Sequence, residues 1–236
     1  METTIILFTA LLPVAILVFY IYRKDKENPE PKGQLAKAFF YGILSLPLSL
    51  CLSIPLGMAG LYPVEVTTTV EAMQTSFFGA AIPEEMAKFF LLWLLLRKNR
   101  HFDEKIDGIV YAVCVSLGFA ALENVLYLFS DTESFLSTGI SRAIFAVPGH
   151  FCFGILMGYY YSLAKFYPDA KAKNLVMTIA APIIAHGLYD SIIFSISCTP
   201  AISGVLTILF LVFCHRMWKI GTRKIKEHLN QENIIY

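Results

Sequence analysis

The sequence predicts an all-α fold, a polytopic membrane helix bundle of about seven transmembrane helices. Three observations carry that prediction. The 236 residues are 56% hydrophobic and only 16% charged, where soluble domains carry roughly a quarter charged residues, and mean hydropathy is +0.61. Seven long apolar runs divide the chain, and Lys and Arg cluster between alternate pairs of them. This composition excludes a disordered chain, a nucleic-acid binder and an ordinary soluble globule. The five cysteines show no CxxC pairing and lie in or beside apolar runs, so they read as packing residues.

The runs fall near 3–22, 38–59, 73–96, 108–129, 140–164, 174–196 and 203–218. All but the last reach the ~20 residues needed to cross the hydrocarbon layer as a helix. The first begins Met1-Glu2 and has its positive charges after it, so it reads as a permanent helix and not a cleavable signal peptide. In the second, Pro47 and Pro55 predict kinks. In the third, Pro83 predicts a break, with an amphipathic arm near 70–81 and a fresh helix start at Pro83. Residues 1–219 are expected to form a single transmembrane domain, and 220–236 a short cytoplasmic tail.

The charges orient the bundle. Arg23, Lys24, Lys26, Lys32 and Lys37 occupy one loop, and Arg97, Lys98, Arg100 and Lys105 a second. Lys165, Lys171 and Lys173 occupy a third, and Arg216, Lys219, Arg223, Lys224 and Lys226 the C-terminal end. The loops near 60–71, 130–139 and 197–202 have no basic residue. By the positive-inside rule the basic ends are cytoplasmic, so the N-terminus lies outside and the C-terminus inside. Two basic residues break the pattern, Lys88 and Arg142. Arg142 is expected to snorkel to headgroups, or else to meet Asp131 or a substrate carboxylate. His101, His215 and His228 fall in cytoplasmic segments and are expected to be solvated. Trp93 and Trp218 fall where interfacial anchors belong.

A charge inside a bilayer costs about 3 kcal/mol or more and marks function. Such groups are confined to four consecutive helices: Glu84, Glu85 and Lys88, then Glu123 and Asn124, then His150, then His186 and Asp190. At 1.5 Å per residue, Glu84 lies ~18 Å below the outer end of its helix, Glu123 ~9–12 Å, and His150 and His186 each ~15 Å. Acid and imidazole from four segments thus share one layer. Polar side chains can simply hydrogen-bond helices together, but Ser or Thr would serve that role without charge.

The chemistry these residues support is hydrolysis. Lys88 is four residues from Glu84 and three from Glu85, within reach of either carboxylate. Glu123, His150 and His186 form a His₂Glu set of the kind that holds catalytic zinc, with Glu84 or Glu85 as general base. Asp190, four residues after His186, either fixes its tautomer or is itself a ligand. Asn124 is a candidate to steady a ligand or an oxyanion. HExxH is absent, as is a GxSG element.

Four motifs appear in order: Glu84-Glu85-Met86-Ala87-Lys88, Phe119-Ala120-Ala121-Leu122-Glu123-Asn124, His150-Phe151-Cys152-Phe153-Gly154 and His186-Gly187-Leu188-Tyr189-Asp190. Together, over about 70–195, they resemble the PrsW family of intramembrane proteases, related to the CAAX-protease and bacteriocin-processing superfamily. The resemblance implies a multi-pass metalloprotease of the prokaryotic plasma membrane. It implies first-site cleavage of a single-pass membrane protein such as an anti-sigma factor, and zinc as cofactor. A metal-free glutamate mechanism is the alternative known in the wider superfamily. Two other readings of the same residues are a proton- or ion-coupled transporter and a non-catalytic membrane scaffold. Against transport, no internal repeat is evident and helices one, two and seven lack polar path residues.

Overall fold

The computed structural model describes residues 2–25 and 28–232. Met1, Lys26 of the first basic loop and the end of the tail from 233 lie outside the described residues. Helices follow one another as α1 (Glu2–Lys24), α2 (Lys32–Met58), α3 (Thr69–Gln74), α4 (Ile82–Leu96), α5 (Lys105–Ser130), α6 (Phe135–Ser141), α7 (Val147–Phe166), α8 (Lys171–Cys198) and α9 (Ser203–Glu232). Two π-helical turns, Thr75–Ala81 and Arg142–Ala146, join α3 to α4 and α6 to α7 without interruption.

Among the described residues, six stretches are long and apolar enough to cross a membrane: 3–24, 32–58, 105–130, 135–166, 168–198 and 200–230. The seventh expected segment, 69–96, is also one continuous helical stretch. It misses on composition, because it carries Glu71, Glu84, Glu85 and Lys88. The expected break at Pro83 is corrected: the chain widens into a π turn instead. The N–H of Ile82 reaches back five residues to the Phe77 carbonyl, so Pro83, with no N–H of its own, enters the first turn of α4 without ending the helix.

The bundle is built around α5. Its sequence is apolar on all sides, the pattern of a helix buried within a bundle, and 78% of its most apolar window is buried. It packs against α7, α2 and α1, while α7 passes the contact to α8 and α8 to α9. The outermost faces present large apolar side chains such as Phe8, Phe19, Val205 and Ile208, each more than 60% exposed, as lipid contact requires. Where α2 crosses α5, Gly42 and Gly118 bring the backbones together. A Cβ on Gly42 would collide with the Val115 carbonyl oxygen, and one on Gly118 with that of Phe39.

Residues 220–232 continue α9 unbroken, and this corrects the reading of His228. It is fully buried, its Nδ1 lies 2.9 Å from the Lys105 carbonyl oxygen, and its ring stacks on Tyr159 at 4.4 Å. The continued helix carries it onto the start of α5, which a frayed tail would not do. His215 is exposed and His101 half-buried.

The α2–α5 crossing makes a prediction. Gly118→Ala is expected to destabilise the protein by about 1–3 kcal/mol, the usual cost of overpacking, because the obstacle is backbone that cannot rotate away. Thermal unfolding in detergent micelles checks it, with Gly204→Ala, where nothing lies within 4 Å, as the control.

Candidate active site

The two π turns sit directly before two of the polar positions. Glu84 and Glu85 open the first turn of α4, where the helix dipole favours acids. His150 lies one turn into α7. Glu123 and Asn124 come from the second half of α5, and His186 and Asp190 from the middle and C-terminal half of α8.

Lys88 is the hub. It is 1% exposed, and its Nζ lies 2.8 Å from Glu85 Oε1, 3.3 Å from Glu84 Oε2 and 3.4 Å from His150 Nδ1. The ammonium also rests 3.9 Å from the centre of the Phe119 ring. An ammonium only donates, so His150 Nδ1 accepts and its Nε2–H points to Glu123 Oε2, 2.9 Å away. The His150 carbonyl is bonded in turn by the Ser116 hydroxyl at 2.6 Å.

His186 faces carboxylates with both ring nitrogens. Nδ1 lies 3.0 Å from Glu85 Oε1. Nε2 lies 3.2 Å from Asp190 Oδ2 and 4.0 Å from Glu84 Oε2. Its ring stacks on Phe153 at 4.7 Å. Glu85 is fully buried and occupies the Nδ1 side, the place from which a tautomer is set. Asp190 shares the Nε2 side with Glu84. One oxygen of Glu85, Oε2, is buried without a hydrogen-bond partner.

A cavity of about 440 Å³ collects the rest. Glu84, Glu123, His150, His186 and Asp190, from four helices, all line it. Glu85 and Lys88 are buried beside it. Its other walls include Phe145, Ile193 and Phe210, so the polar groups sit against an apolar surround.

Arg142 lines the same cavity, and this corrects the snorkelling expectation. Its Nη2 pairs with Glu123 Oε2, its Nε donates to Asn124 Oδ1 at 2.6 Å, and its guanidinium lies 4.1 Å from the Tyr127 ring centre. The reason is the π turn. One extra residue per turn makes the eight-residue separation from His150 act like roughly seven, two helical turns, and swings Arg142 onto the same face. Reading α-helical spacing alone misses this. Asn124 has both ends of its side chain committed, since Nδ2 donates to the Ala10 carbonyl of α1 at 3.0 Å.

The charges can now be counted. Among the described residues of this cluster, four carboxylates (Glu84, Glu85, Glu123, Asp190) face two fixed cations (Lys88, Arg142). With both imidazoles neutral the cluster carries two net negative charges in an apolar surround. Nitrogen and oxygen donors with a surplus of two suit a divalent cation such as zinc. Atoms of Glu84, Glu85 and His150 lie within 4.8 Å of one another, and the cation they share is the Lys88 ammonium; the expected set of Glu123, His150 and His186 is not among the groups drawn that close in the described residues.

Removing one partner of a buried pair strands the other charge. Lys88→Met is therefore expected to cost about 3–5 kcal/mol, read as the unfolding midpoint in micelles. Lys88→Met with Glu85→Gln is expected to recover most of that loss.

The family described as PrsW family intramembrane metalloprotease matches residues 30–216 of this chain. A protein named Protease PrsW from Clostridioides difficile is 34% identical over 230 residues, covering 96% of this chain and 92% of its own length. Its namesakes from Oceanobacillus iheyensis and Bacillus subtilis are 33% and 32% identical, covering 98% and 94% of each chain compared. No solved structure matches the chain.

Proposed function

The chain belongs to the PrsW family of intramembrane metalloproteases, and from that premise we propose that it hydrolyses a peptide bond of a membrane-protein substrate at the cavity beneath Arg142. The convergence of Glu84, Glu123, His150, His186 and Asp190 on one cavity carries this reading.

Peptide hydrolysis needs a base for water, support for the oxyanion, and a proton for the leaving amine. We assign the base to Glu84, because it lines the cavity and Glu85 does not open to it. Glu84 takes the water proton and later delivers it to the departing nitrogen. Glu85 holds His186 by Nδ1 and so aims Nε2 at the cavity. Lys88 pairs with Glu85 and fixes the Nδ1 side of His150. Arg142 holds Glu123, with Asn124 behind it. The residues that would hold a divalent metal are Glu123 and His186, with Asp190 beside His186, and His150 through Nε2 once its proton has moved to Nδ1 in place of the Lys88 contact. Zinc bound there would polarise the scissile carbonyl and lower the pKa of water. The double negative surplus favours a metal. Protonation of His186, whose two ring nitrogens both face carboxylates, would halve it, which is the metal-free alternative.

We place the basic ends in the cytoplasm of a prokaryotic plasma membrane, on the segregation of Lys and Arg. The cavity then lies in the outer half of the bilayer. The family resemblance supports a single-pass substrate cut at a first site, an anti-sigma factor among the candidates.

Two measurements test the reading. Glu84→Gln is expected to lower turnover of a single-pass reporter substrate by about 10²–10⁴-fold, the usual contribution of a general base; wild-type turnover would overturn the assignment. Metal analysis of purified wild type is expected to find one equivalent of zinc that His186→Ala loses. Full activity after complete metal removal would select the metal-free mechanism.

A further inference from the structure

Phe145, Phe153 and Tyr189 line the hydrolytic cavity and also a second, smaller one of about 210 Å³. The smaller cavity lies between α9 and α7 with its preceding π turn, and its other walls include Ile144, Cys152, Cys214 and Met217. None of its lining residues carries a charge. Cys214 and Met217 come one and two turns further along α9 than Phe210 of the hydrolytic cavity, so the second space continues from the first along that helix.

The separation is short on the scale of a peptide. Phe153 stacks on the His186 ring at 4.7 Å, so the smaller cavity begins one aromatic ring away from an imidazole of the site. An extended chain advances about 3.3 Å per residue, and the side chain of a residue beside the reacting bond spans that gap. Packing does not require Gly149 of the wall to lack a side chain. A Cβ there would meet two Tyr189 ring carbons at 3.5 and 3.6 Å and Phe153 Cζ at 3.7 Å, which are ordinary contacts. The glycine leaves the space beside both rings free.

Tyr189 carries a second sign. It is 7% exposed and packs through its ring, edge-on to Phe153 at 5.9 Å and to Phe210 at 5.0 Å. Among the described residues its hydroxyl has no hydrogen-bond partner, and it is not sealed in. A polar group held among aromatic rings without a partner is a donor left for a bound molecule.

We propose that the smaller cavity is the subsite for a large apolar side chain, of the Leu, Met or Phe class, on the substrate residue beside the scissile bond, with the Tyr189 hydroxyl donating to a backbone carbonyl of the same segment, an assignment that rests on the hydrolytic reading of the larger cavity. Uncharged walls select by burial, since a polar side chain would lose its water there and gain no partner.

The test uses the full chain in micelles and a single-pass reporter whose cleaved bond is first mapped by mass spectrometry. The residues on either side of that bond are then varied among Ala, Leu and Phe. At one of the two positions the wild type is expected to favour Leu or Phe over Ala by about 10–200-fold in kcat/KM, the discrimination an apolar pocket supplies. Cys214→Trp fills the cavity and is expected to bring that ratio to about one. Should it not fold, Cys214→Leu is read instead, with a fall in the same ratio expected. Val205→Trp, on the 68% exposed side of the same helix, is expected to keep the ratio. Tyr189→Phe is expected to raise KM for every reporter by about 2–10-fold, the worth of one hydrogen bond; an unaltered KM overturns the donor. No preference at either position, as when a lipid chain occupies the cavity, overturns the subsite while cleavage itself stands, and so does a ratio untouched by the change at Cys214. Cleavage unchanged in Glu84→Gln overturns the hydrolytic reading of the larger cavity, and the subsite falls with it.

Discussion

One ammonium group organises the polar interior. Lys88 Nζ meets Glu84 and Glu85 of its own helix and His150 of α7, and rests on the Phe119 ring of α5. In a medium of low dielectric an unpaired charge is far too costly to persist. The position of every other polar group follows from this. Glu85, held by Lys88, holds His186. His150, fixed on one side by Lys88, turns its other nitrogen to Glu123, and Glu123 draws in Arg142. The chain of contacts crosses α4, α5, α7 and α8, so these helices cannot slide past one another without stranding a charge.

The two π turns explain how charged residues reach this layer from helices that must also satisfy their backbone in lipid. An open break would expose carbonyl and amide groups to hydrocarbon. A π turn keeps a hydrogen bond for each, from i to i−5, while rotating the following residues and making room for a proline. Both turns lie two residues before a proline, Pro83 or Pro148, and both precede residues of the cavity. The helices stay continuous and the site still acquires side chains that α-helical spacing would aim elsewhere.

The opposite ends of α5 divide the labour of the bundle. Near one end Glu123 faces the cavity. At the other, acids of the first loop and the α5 cap crowd together, and His228 brings the end of α9 down on Lys105.

The sequence by itself determined the helical membrane architecture, because length, hydropathy and alternating basic loops are summed over many residues and no local contact reverses them. It also determined which acids and histidines share a layer, since depth along a helix is a simple count. Glu84, Glu123, His150, His186 and Asp190 were legible for that reason. What only the tertiary structure decided was rotation and partnership. Arg142 read as a snorkelling residue because a π turn leaves no composition signature. Glu84 and Glu85 are neighbours in sequence, yet one opens to the cavity and the other is sealed behind it, a distinction set by packing about the helix axis. His228 read as a solvated residue until distant segments folded over it, and nothing in the sequence marked the acids around Asp107 as buried. Burial of a polar group depends on what covers it, and the cover comes from elsewhere in the chain.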